Sequence, residues 1–148
     1  MNREEFESEA LALMNSGLNC AECMLLAATR RLLPGTAGTN GPVPRIATCF
    51  GGGVGRSFTD ICGALSGAVM AVSLAYGRDE PGLPTDRAQT LAAELRRRFI
   101  KAHGASSCAQ LLEAFGPQED MADCRRLTAA TAGMLWDIME EAKAQDRG

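Results

Sequence analysis

The chain has 148 residues, of which 46% are hydrophobic and 22% charged, with a formal net charge of −3. That length supports one sizeable core and leaves little room for two, so a single domain over residues 1–148 is expected. The slightly acidic balance argues against nucleic acid or an anionic membrane surface as a partner, and 24 alanines against four valines and four isoleucines favour helix over sheet.

The opening Met-Asn-Arg-Glu-Glu has no signal-peptide pattern, which predicts a cytoplasmic chain. Asn2 followed by Glu5 reads as a capping box for a first helix that runs to about Ser16, with Gly17 as its stop. Asn19 and Glu22 repeat the signature for a second helix, which ends before Pro34-Gly35. Residues 34–44 read as the one long loop, and Arg45 to Phe50 fits a short helix or a short strand. A flexible turn, Gly51-Gly52-Gly53-Val54-Gly55, then leads to Ser57, Thr59 or Asp60 as the cap of a central helix.

The apolar run from Ile61 to Tyr76 is 16 residues long, too short for a membrane span, and reads as a buried helix ended by Gly77. Gly63, Gly67 and Ala71 recur every four residues and make one face nearly flat, which suits a closely packed second helix and suggests a homodimer. Thr85 or Asp86 starts the next helix, with Ala88, Leu91, Ala92, Leu95 and Phe99 as its inward stripe and Gly104 after it. Ser107 with Gln110 opens a short helix that stops at Gly116-Pro117. Asp123 caps the last helix, with Leu127, Ala130, Met134, Leu135, Ile138 and Ala142 turned inward. The expected fold is an all-α bundle of about five to six helices, with the glycine-rich loop ahead of the central apolar one.

Six cysteines in a chain expected in a reducing compartment point to redox or metal chemistry rather than a disulfide framework. Cys20, Cys62, Cys108 and Cys124 each fall in the first turn of an expected helix. The partial positive charge and free N–H groups there favour a thiolate, the form that attacks disulfides and binds metals. Cys20 and Cys23 also form a Cys-x-x-Cys at a helix start, which makes Cys23 a candidate partner of Cys20. Against this stands the plainer reading of cysteine as a small core hydrophobe.

The single histidine, His103, excludes a Cys2His2 zinc site and reads as a helix-end cation or a solvent-facing residue. The Gly51–Ser57 stretch fails both the P-loop and the G-x-G-x-x-G spacing, so it reads as tight backbone packing against the Cys62 helix rather than a nucleotide site. A small anion at that helix start stays open. Arg96-Arg97-Arg98 and Glu140-Glu141 read as solvated faces.

Asn19-Cys20-Ala21-Glu22, Gly51-Gly52-Gly53-Val54-Gly55-Arg56, Cys62-Gly63-Ala64-Leu65-Ser66-Gly67, Cys108 and Cys124 together resemble the C_GCAxxG_C_C family of small redox-active proteins. The resemblance runs from about Phe6 to Ala142 and is most specific at Cys62–Gly67. It places the family's four defining cysteines on Cys20, Cys62, Cys108 and Cys124, and leaves Cys23 and Cys49 outside the pattern. The family also resembles the non-haem part of split-Soret cytochromes, but this chain lacks Cys-x-x-Cys-His, so no haem is expected.

The combined expectation is a centre in which these four cysteines serve thiol–disulfide or electron-transfer chemistry, with Cys20 and Cys62 as the reactive pair. Its partner would be a redox protein or a small-molecule disulfide or electron carrier. The alternatives are an iron–sulfur cluster or a zinc ion held by the same four sulfurs, and inert core cysteines in an interaction protein.

Overall fold

A computed structural model describes residues 1–33 and 45–148; the loop expected at 34–44 lies outside the described residues. The fold is all-α. Among the described residues there are six α-helices and one 3-10 helix: α1 (Arg3–Asn15), α2 (Cys20–Arg31), the 3-10 helix (Arg45–Phe50), α3 (Gly63–Tyr76), α4 (Asp86–His103), α5 (Cys108–Phe115) and α6 (Ala122–Arg147). The 3-10 helix decides between the two readings of residues 45–50 and takes the count of helical segments above the expected five to six.

Local chemistry accounts for several boundaries. Asn2 and Asn19 each close a full capping box, with Glu5 and Glu22 respectively, and Ser107 Oγ accepts the Gln110 N–H. Gly104 ends α4 in the left-handed conformation, at φ 87°. Two expected caps are not used. Cys62 is itself the N-cap of α3, with no side-chain hydrogen bond, and Ser57, Thr59 and Asp60 lie outside the helix. Asp123 lies inside the first turn of α6, whose N-cap is Met121 at φ 57°.

The body is built by α2 against α3, α1 against α6 and α2, and α4 against α3 and α6. Phe6, Met24, Leu25, Leu65, Leu95, Phe99, Leu135, Ile138 and Met139 fill the core. The flat face of α3 is covered within the chain: a Cβ at Gly67 would stand 2.6 Å from Ala21 O on α2 and 2.9 Å from Met24 Cβ. It is therefore not free for the helix-paired dimer suggested by the sequence. On α6, Ala130 and Met134 are half-buried rather than inward, while Leu127, Leu135, Ile138 and Ala142 are buried as expected. No helix among the described residues is long and apolar enough to cross a membrane.

Candidate functional site

Four helices start at the same end of the bundle, and each brings a cysteine. Cys20 and Cys108 are the first residues of α2 and α5, Cys62 precedes α3 and Cys124 is the third residue of α6. All four line one cavity of about 70 Å³, walled by Met14, Leu111, Leu112, Phe115, Leu127 and Thr128, with Gly52, Gly53 and Gly63 on the loop side and Phe58 and Met121 at its rim. None of the described lining residues is charged.

Backbone hydrogen bonds fix these starts to one another. Cys62 N–H donates to Ser106 O at 2.9 Å and Cys108 N–H to Asp60 O at 2.6 Å, flanking a single antiparallel bridge between Ile61 and Ser107. The starts of α3 and α5 are thereby clamped side by side. The start of α2 is tied to the 3-10 helix, where Asn19 Nδ2 donates to Thr48 O and Thr48 Oγ1 donates to Glu22 Oε2, both at 2.9 Å. At α6, Gln118 does what Asp123 was expected to do: its Oε1 accepts the Cys124 N–H at 2.9 Å, and its Nε2 donates to Cys124 Sγ at 3.4 Å.

The glycine loop closes the cavity by an uncommon backbone path. Gly52, Gly53, Val54, Gly55 and Arg56 all have φ between 54° and 70°, and Phe58 adds a further left-handed residue at 59°. Non-glycine residues pay roughly 1–2 kcal/mol each for that region. Offsetting bonds run from Gly55 N–H to Cys49 O, from Phe58 N–H to Gly52 O and from Asp60 N–H to Gly53 O. Two glycines are required by proximity. A Cβ at Gly63 would overlap Cys20 Sγ and approach Phe50 O at 2.9 Å, and one at Gly53 would lie 2.5 Å from Cys108 Cβ.

Burial governs the thiols. It pushes Cys62 up to about 12, with the neighbouring Cys20 as the next cause, against lowering by the backbone of Ala64 and Leu65. Cys20 is raised chiefly by burial, although backbone groups of Gly52 and Ala21 oppose it. Cys108 is raised by burial, then by Cys124 and Cys20. The helix-start N–H groups at Cys20 and Cys62 therefore act in the direction expected from sequence and are outweighed, because no cation among the described residues lines the cavity and desolvation disfavours a thiolate. The depressed thiol pKa values expected there are corrected to raised ones for Cys20, Cys62 and Cys108.

These mutual influences also map proximity. The charge of a Cys20 thiolate would raise Cys23, Cys62 and Cys108, and that of Cys124 would raise Cys20. Cys23 is fully buried, is pushed up to about 12 chiefly by burial, and directs its thiol to Cys20 O at 3.4 Å. It does not line the cavity. Cys49 is exposed and faces an outer groove that also contains Cys20.

His103 stands at the end of α4 but is half-buried, and its surroundings disfavour the cation that the sequence suggested. Its ring stacks edge-on against Phe99, its Nε2 is buried with no hydrogen-bond partner among the described residues, and burial lowers its pKa. Arg97 and Arg98 both pair with Glu94, and Arg98 also reaches Glu141. Among the described residues, no group of three or more His, Cys, Asp or Glu side chains is placed to hold a metal ion. The four sulfurs share a cavity without forming a ready-made ligand set for a cluster or a tetrahedral zinc.

Gln118, the rim residues Phe58 and Met121, and the apolar wall from α5 and α6 had no part in the sequence-based reading of the site. Gln118 stands six residues from the amide it caps, outside any local capping pattern, and only the alternation of Gly-Pro with a polar residue hinted at a turn there.

Four helix starts around one thiol-lined apolar cavity define an all-α protein with a cysteine centre. The family model described as "Putative redox-active protein (C_GCAxxG_C_C)" matches residues 18–138, and the chain belongs to that family. No curated protein and no solved structure matches it.

Proposed function

We propose that this protein is a thiol–disulfide redox protein in which Cys20 exchanges with substrate and Cys62 resolves the intermediate. The observation that carries this reading is the position of Cys20, which lines both the inner cavity with the other three family cysteines and the outer groove. Electrons and protons balance as follows. Cys20 loses its proton to solvent and its sulfur attacks one sulfur of a disulfide R–S–S–R. The S–S bond breaks, R–S⁻ leaves and takes up a proton, and Cys20 is left as a mixed disulfide.

Cys62 then loses its proton and attacks Cys20 Sγ, releasing the second thiol and leaving a Cys20–Cys62 disulfide. Two cysteine thiols are oxidised and one substrate disulfide is reduced. The raised pKa values of Cys20 and Cys62 keep both thiols protonated in the resting reduced form, so each must lose its proton as it attacks. Cys108 and Cys124 stand next in line for the same exchange, since both line the same cavity as Cys20.

The test is purification under anaerobic conditions, followed by iron, zinc and sulfide analysis and a single-turnover reaction with hydroxyethyl disulfide. The expected result is a colourless, metal-free protein that loses two thiols per disulfide reduced. Cys62→Ser should then accumulate a mixed disulfide on Cys20, located by mass spectrometry of peptides. Stoichiometric iron with sulfide, or one zinc per chain with no reaction towards the disulfide, would replace this reading with a metal centre on the same sulfurs.

A further inference from the structure

The outer groove has a volume of about 490 Å³ and is lined by Asn19, Cys20, Glu22, Thr48, Cys49, Arg56, Phe58 and Met121 among others. That volume is enough to hold a small molecule. Its polar groups are unequally occupied. Glu22 Oε1 accepts the Asn19 N–H and Oε2 accepts from Thr48 Oγ1, while Asn19 spends its side chain on the Ala21 and Glu22 amides and on Thr48 O.

Arg56 alone among the groove's charged residues has no hydrogen bond or ion pair with any described residue. It is exposed and held in the left-handed turn at φ 54°, with its Cα and side chain packed beside Gly52. Its five N–H donors are the groove's unspent binding capacity, in a fork that fits a carboxylate.

Resting on the thiol–disulfide reading, we infer that the groove takes a low-molecular-weight disulfide bearing carboxylates, with Arg56 binding a carboxylate while Cys20 receives the sulfur. Exposed Phe58 and Met121 cover the apolar part of such a ligand. Arg56 is then the residue that sets selectivity, acting on how the substrate is held and not on the exchange itself.

The experiment compares single-turnover rates of the reduced wild-type chain with oxidised glutathione, which is anionic, with neutral hydroxyethyl disulfide and with cationic cystamine. In Arg56→Gln the rate ratio of oxidised glutathione to hydroxyethyl disulfide should fall about tenfold, the loss of one charge-assisted contact. Arg56→Lys should keep part of the ratio, and Arg56→Glu should raise the ratio of cystamine to hydroxyethyl disulfide. In wild type, added salt should lower the glutathione ratio without any substitution. A glutathione ratio that is unmoved by both salt and Arg56→Gln overturns the inference while leaving the redox reading intact. If wild type reduces none of the three, the redox reading fails and this inference with it.

Discussion

The two ends of the bundle solve the same folding problem with different materials. Away from the cysteines, α4 and α6 are long and regular, buried through Leu95, Phe99 and Ile138 and linked by ion pairs from Arg98 to Glu141 and from Arg87 to Asp146. At the cysteine end no described residue that lines the cavity carries a charge, backbone hydrogen bonds clamp the starts of α3 and α5 together, and six residues between Gly52 and Phe58 sit at positive φ. Stability is thus concentrated in one region, while strain and the shielded thiols are concentrated in the other. Such a division lets the second region be shaped for chemistry at a cost the first can carry.

The largest effect that tests this contrast is one of pH. Because Cys62 is pushed up to about 12, its thiolate is scarce at neutral pH and grows tenfold for each unit of pH below that value. Its alkylation rate, followed by peptide mass spectrometry, should therefore rise about a thousandfold between about pH 7 and pH 10. A rate that levels off near pH 8 to 9, as for an unperturbed cysteine, would show that helix-start amides outweigh burial after all.

Next come paired substitutions, one in each region. Leu95→Ala should cost about 2–5 kcal/mol in denaturant unfolding, with little change in the thiol pH profile of the folded protein. Gly63→Ala should cost less, about 1–3 kcal/mol, because its Cβ overpacks against Cys20. It should nonetheless displace that sulfur and slow the disulfide reaction. The comparison collapses if the two variants change stability and reactivity in the same proportion.

The smallest effect concerns the strained turn. Val54 is exposed and adopts φ 67°, so Val54→Gly should raise stability by about 1 kcal/mol in the same unfolding assay. A loss of stability instead would mean that the valine side chain makes a contribution larger than its backbone cost.

What the sequence revealed follows the range over which each determinant acts. Capping boxes are decided within four residues, so α1, α2 and α5 could be placed from Asn2, Asn19 and Ser107. The caps of α3 and α6 depend on distant contacts, from Ser106 to Cys62 and from Gln118 to Cys124, and reading outward from the nearest Asp or Ser gave the wrong residue. The same limit explains the thiols. The helix-start effect is local and could be read directly, whereas burial of Cys62 behind α2, α5 and the glycine loop is a property of the assembled fold. That the four cysteines fall at helix starts could be read from caps alone; that one cavity gathers them, with Cys20 opening onto a second groove, could not.

The bridge between Ile61 and Ser107 bears on motion as well as on placement. α5 is eight residues long and buries only Leu111, so it is the wall with least to hold it closed once the two flanking bonds let go. Amide hydrogens at Cys62 and Cys108 therefore report on the same opening event and should exchange together, ahead of those in the middle of α3. The rate of that event sets an upper limit on how quickly anything outside can reach the sulfur of Cys108.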